Sequence, residues 1–133
     1  MTGARSQGEA GRAAHLTPDH ERYLRDRGLD AITALAAGIE STDSAEASSR
    51  LGIHDAPGGI WIPYPGVDPP YGRLRVFGGD TRFLAPPGRE VPIYRPPTFS
   101  PGPEELVVIT ESPTKALVLQ GCGMQSIGLG GTG

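Results

Sequence analysis

Apolar residues are spaced differently in three successive parts of the chain. Between residues 17 and 52 they recur three and four positions apart, the period of a helix with one buried face. Thr17 followed by Pro18 marks a helix start, and Gly28 closes that helix after Tyr23-Leu24-Arg25-Asp26-Arg27. A second helix is predicted from Asp30 to Ala37, stopping at Gly38, and a third from Ala45 to Leu51, stopping at Gly52. Their thin apolar stripe comprises Leu16, Tyr23, Leu24, Leu29, Ile32, Leu35, Ile39 and Leu51.

From Gly58 to Thr98 the pattern shortens to strands between turns. Gly59 to Tyr64, Arg73 to Phe77 and Thr81 to Leu84 each read as a strand, with Gly78-Gly79-Asp80 as the hairpin turn between the last two. Pro63 places the first of these at an edge or marks its end. The stretch from Pro96 to Pro103 holds too many prolines for regular pairing, and residues 99–105 are read as an extended linker. Beyond it, Val107-Val108-Ile109 predicts a strand over 106–110 that is covered on both faces, as in parallel sheets. A helix over 113–121 and a strand over 125–129 complete a βαβ start. Ser112 caps that helix, and Pro113 suits its first position because its missing N–H would be unpaired there.

Composition narrows the function classes. Glycine (20) and proline (14) make up about a quarter of the 133 residues, and the net charge is −3, so no broad basic surface for nucleic acid is expected. Lys115 is the only lysine among 12 basic residues. The single Cys122 excludes an internal disulfide and a multi-cysteine zinc site, and is read as a small buried filler. No apolar run reaches membrane-spanning length and the amino terminus lacks a secretory segment, so a cytoplasmic location without membrane contact is expected. Residues 1–14, small and polar, are read as a disordered lead.

The candidate chemistry centres on Glu111. It stands at the carboxyl end of the 106–110 strand, where open α/β sheets place ligands and catalytic groups, and an acidic residue there suggests a metal or phosphoryl-transfer site. It equally suits a helix start as a plain dipole partner. Lys115, one turn further, can reach a phosphate or pair with Glu111. Arg73, Arg75 and Arg82 alternate with apolar residues, which gives either a basic face for phosphates or solvated strand arginines. His15, His20 and His54 lack ligand spacing and are read as surface residues, and Trp61 as core. Gly128-Leu129-Gly130-Gly131-Thr132-Gly133 fits G-x-G-x-x-G literally, but a dinucleotide fingerprint also needs the helix it opens and a later acidic residue.

In this order the segments resemble the core of bacterial and phage DNA primases of the TOPRIM type, closest to the primase-related TOPRIM-like domain of phage and plasmid replication proteins. Tyr23-Leu24-Arg25-Asp26-Arg27-Gly28-Leu29 with Gly38-Ile39 is similar to the helical "YL-x-x-RGL…G" stretch ahead of that core. Gly59 to Tyr64, Gly72 to Val76 and Arg82-Phe83-Leu84-Ala85-Pro86 resemble its small β-rich subdomain. Val107 to Glu111, Lys115-Ala116-Leu117, Gly121 and Ile127-Gly128-Leu129-Gly130 resemble the first TOPRIM motif, its helix and its next strand. The likeness covers about residues 17–133. Ser112 stands where the family has a glycine, Phe83 and Ala85 replace a tyrosine and an asparagine, and the family's Asp-x-Asp strand has no counterpart before Gly133.

The resemblance implies a mixed α/β fold: a helical segment (15–57), a small antiparallel β subdomain (58–98), and the first βαβ of a TOPRIM-like parallel sheet (106–133). It implies Mg²⁺-dependent primer synthesis in the DNA replication of a phage, plasmid or mobile element. Glu111 would be metal ligand or general base, and Arg73, Arg75, Arg82 and Lys115 would contact template or nucleotide phosphates. Two-metal chemistry needs several carboxylates around ions about 4 Å apart, so the chain is expected to be an incomplete and inactive core. Expected partners are single-stranded DNA or nucleotides, bound weakly, and a helicase or the missing part of the primase core. The rival expectations are a non-enzymatic DNA- or protein-interaction module and a nonfunctional gene fragment.

Overall fold

The computed structural model describes residues 13–129. The expected disordered lead, apart from residues 13 and 14, and the last four residues of the glycine-rich end lie outside them. The fold is mixed α/β, with one antiparallel and one parallel sheet. Helix α1 (Pro18–Arg25) starts where Thr17 Oγ1 accepts the His20 N–H at 3.2 Å, and Gly28 at φ 90° turns the chain out of it. Helix α2 (Ala31–Ala36) is capped by Asp30, which accepts the Thr33 N–H at 2.7 Å.

Strand β1 (Glu40–Thr42) follows at once and was not expected. Its Glu-Ser-Thr carries no apolar alternation, so only its pairing makes it a strand: Ser41 lies opposite Ile60 in antiparallel register. Helix α3 (Ser44–Leu51), capped by Asp43, then leads into the sheet. Strands β2 (Gly59–Pro63), β3 (Gly72–Arg75) and β4 (Phe83–Leu84) complete the order β1-β2-β3-β4. Strand β2 is therefore interior, and Pro63 ends it rather than placing it at an edge.

Strand alternation divides the interior into two cores. Ile60 and Ile62 point to a cluster with Leu24, Leu29, Ile39, Tyr64, Tyr71, Tyr94, Ala116 and Leu117. Trp61, with Leu74 and Val76, faces the opposite side and packs on Ala47 and Leu51 of α3. Trp61 is thus core, and Gly72 is required beneath it, since a Cβ there would enter the indole ring. Tyr64 packs edge-on against both Tyr71 and Tyr94, with ring centroids 4.9 and 5.2 Å apart.

Strand β5 (Val108–Thr110), helix α4 (Pro113–Gly121) and strand β6 (Ser126–Gly128) form the parallel unit, with Ile109 opposite Ile127. Ala116 and Leu117 enter the same core cluster as α1 and β2. Tyr94 and Gly128 exchange backbone hydrogen bonds at 2.8 and 2.9 Å, which fastens β6 to the rest.

Several expectations fail here for identifiable reasons. Strand β5 is not covered on both faces: α4 lies on one side, and Ile109, pointing the other way, is 63% exposed. Leu106 and Val107 are exposed ahead of it. Ile32 leaves the expected apolar stripe at 82% exposure, because α2 is too short to bury more than the Ala34 side. Cys122 is exposed after the end of α4 rather than buried. His20 is half-buried, because Ser41 of the unexpected β1 stands 2.7 Å from its Nδ1.

Candidate phosphate-binding cleft

Pairing opposite Ile62 and Ile60 puts Arg73 and Arg75 on the sheet face that meets α1 and α4. Their fates there differ. Arg73 is buried at 8% exposure, with its guanidinium 4.5 Å from the Phe83 ring centre and beside Tyr64. Burial raises the Tyr64 hydroxyl pKa, and Arg73 pulls it the other way. Arg73 therefore braces the sheet and does not line the cleft described next.

Arg75 reaches the rim. Its Nε donates to the Tyr23 hydroxyl at 2.8 Å, another guanidinium nitrogen donates to the Val76 carbonyl, and the rings of Tyr23 and Phe77 lie 4.9 and 4.4 Å from its centre. Arg27, just after α1, stacks at 3.6 Å on Tyr23 and donates to that residue's carbonyl. Aromatic faces and carbonyls hold both guanidinium groups in place without cancelling their charge.

These groups line a cleft of about 340 Å³ together with Arg82, Phe83, Ser112, Thr114 and Lys115. Four cations thus converge from the end of α1, β3, the approach to β4, and α4, and no carboxylate is among the described lining residues. Arg82 is exposed and has no side-chain partner among the described residues. The amino end of α4 adds little. Pro113 has no N–H and Ser112 Oγ accepts that of Lys115 at 3.2 Å, which leaves Thr114 as the donor facing the cleft.

Glu111 stands between β5 and Ser112, at the carboxyl end of the strand as expected, but it is not part of the cleft lining. Its Oε2 lies 2.8 Å from the Lys115 ammonium, and that hydrogen bond and charge hold its carboxyl below the ordinary value. No group of three or more His, Cys, Asp or Glu side chains gathers around a possible ion site among the described residues. A single exposed carboxylate already engaged by an ammonium does not fit Mg²⁺, which takes its protein ligands as carboxylate oxygens.

Of the residues singled out in the sequence, Arg75, Arg82 and Lys115 come together, Glu111 touches Lys115 from outside, and Arg73 lies beneath. Arg27, Tyr23 and Phe83 were not expected in the site. Tyr23 and Arg27 sit four apart across the end of α1, a spacing that would have pointed to a stacked pair. Among the described residues no helix is long and apolar enough to cross a membrane. No family model, no curated protein and no solved structure matches this chain.

Proposed function

We propose that the chain is a primase-like TOPRIM module that binds the phosphates of single-stranded DNA or nucleotides in the cleft between α1, the antiparallel sheet and α4. The convergence of Arg27, Arg75, Arg82 and Lys115 in one cleft of a chain with net charge −3 carries this reading. Guanidinium and ammonium groups beside aromatic rings match backbone phosphates next to nucleobases. The place of the module in replication of a phage, plasmid or mobile element rests on the resemblance of its motifs, and its cytoplasmic location on the missing apolar run and secretory segment. With no group of three or more potential metal ligands gathered among the described residues, we read its role as binding rather than nucleotide transfer.

Fluorescence anisotropy of a labelled thymidylate oligomer tests the reading. Affinity should be modest and fall steeply with salt, because binding releases counterions from phosphates. Arg82→Ala with Lys115→Ala should weaken it about tenfold or more, since each hydrogen bond from a cation to phosphate contributes on the order of 1 kcal/mol. Exposed Arg22, which lies outside the cleft, serves as control. An equally weakened Arg22→Ala variant would mean that the cleft has no special part in binding.

A second reading follows from β5. Its exposed Ile109 edge favours a binding module that receives a strand from another chain, such as a helicase or a further part of a primase core.

A further inference from the structure

Lys115 is shared between two environments. Its side chain lines the cleft, yet its ammonium is held 2.8 Å from Glu111, which the cleft does not include. The other three cations are not held by any carboxylate among the described residues: Arg27 and Arg75 rest on Tyr23, and Arg82 stands alone. One internal anion is therefore paired with a cation that lines the cleft.

Resting on the phosphate-cleft reading, we propose that Glu111 is an internal counter-ion, not a metal ligand, which a terminal phosphate monoester displaces from Lys115. Charge decides what can displace it. An internal phosphodiester carries one negative charge, like the Glu111 carboxylate, so exchange gains little Coulomb energy. A terminal phosphate carries about −1.5 to −2 near neutral pH and offers three acceptor oxygens, enough to engage Lys115 and Arg82 together. Glu111 thus screens Lys115 from the interior of a strand and leaves it open to a phosphorylated end. A free mononucleotide and a 5′-phosphorylated strand share this chemistry.

The test uses the full chain in EDTA at low salt, with a 5′-phosphorylated thymidylate oligomer, its 5′-hydroxyl counterpart, and thymidine monophosphate as competitor. The wild type should prefer the 5′-phosphorylated oligomer. Glu111→Gln should tighten the 5′-hydroxyl oligomer about two- to fivefold, the scale of an exposed ion pair, and narrow the preference. Competition by the mononucleotide assigns recognition to the phosphate group, and its failure assigns it to the strand end. Binding with no preference, or unchanged or weakened by Glu111→Gln, overturns the counter-ion role while the cleft reading stands. Binding that appears only with Mg²⁺ and is lost in Glu111→Gln overturns it in favour of a metal ligand. No binding of any probe overturns the cleft reading as well.

Discussion

His20 lies between the Ser41 hydroxyl, 2.7 Å from its Nδ1, and the stacked Phe77 ring, with centroids 5.4 Å apart. Ser41 Oγ also accepts the Thr17 N–H at 2.9 Å, so its own proton is available to a neutral imidazole. Burial lowers the His20 pKa below the ordinary 6.5, against a smaller opposing pull from Asp19, while His15 adds to the lowering. The unfolded chain therefore takes up this proton first as pH falls. Stability from the neutral imidazole is complete above 6.5 and is lost as pH drops from there toward the lower folded-state value. Urea midpoints at about pH 8 and about pH 5.5 should show the loss, and His20→Gln should reduce it. An undiminished loss in that variant would place its origin elsewhere. This residue also shows where the sequence stops being readable. The Thr17 cap was legible because it acts within one turn, but the burial of His20 depends on β1, whose polar residues signal no strand. Arg73 and Arg75 were likewise placed on one face by alternation, but packing from distant segments sets that one lies buried against Phe83 and Tyr64 while the other reaches the cleft.

Helix α4 carries Thr114 and Lys115 to the cleft, so its start is the element on which the site depends most. Its sequence signals are local: a serine cap, a proline at the first position, and apolar Ala116 and Leu117 on the core side. All were readable in advance for that reason. Ser112→Ala removes the acceptor for the Lys115 N–H and should cost about 0.5–2 kcal/mol, whereas Ser112→Gly should cost only about a few tenths. Chemical denaturation of both variants checks the ranking. Equal costs would mean that Ser112 acts through something other than its cap. By contrast, the exposure of β5 was not readable. Four apolar residues in a row, Leu106 to Ile109, look the same whether one face or two are covered, because coverage is decided by elements distant in sequence. The same limit hid the part played by Arg27 and Tyr23, whose cleft exists only once α1 docks on the sheet.

At the scale of the whole molecule, one core cluster joins α1, the antiparallel sheet and α4, and the reciprocal Tyr94–Gly128 hydrogen bonds tie in β6. Unfolding should therefore be one cooperative step. The weak margin is the outer edge of β5. Its pairing with β6 uses the backbone of Val108 and Thr110, which turns the N–H and C=O of Ile109 away from the sheet beside an exposed apolar side chain. An apolar edge left uncovered by the described residues is a template for a further strand. Stability of the isolated monomer is expected to stay below about 8 kcal/mol, inside the ordinary range for domains but short of its upper part. Occupation of the edge by a second copy would make the midpoint rise with protein concentration, since association draws on the folded state alone. Ile109→Lys should abolish that rise, because it sets a charge on the edge in place of an apolar side chain, while changing little in the monomer where that position is already exposed. Denaturation across a range of protein concentrations, alongside sedimentation, decides the matter. A midpoint independent of concentration in the wild type would mean that the edge does not pair with its own kind. A monomer more stable than about 8 kcal/mol would mean that the chain has no need of a further strand.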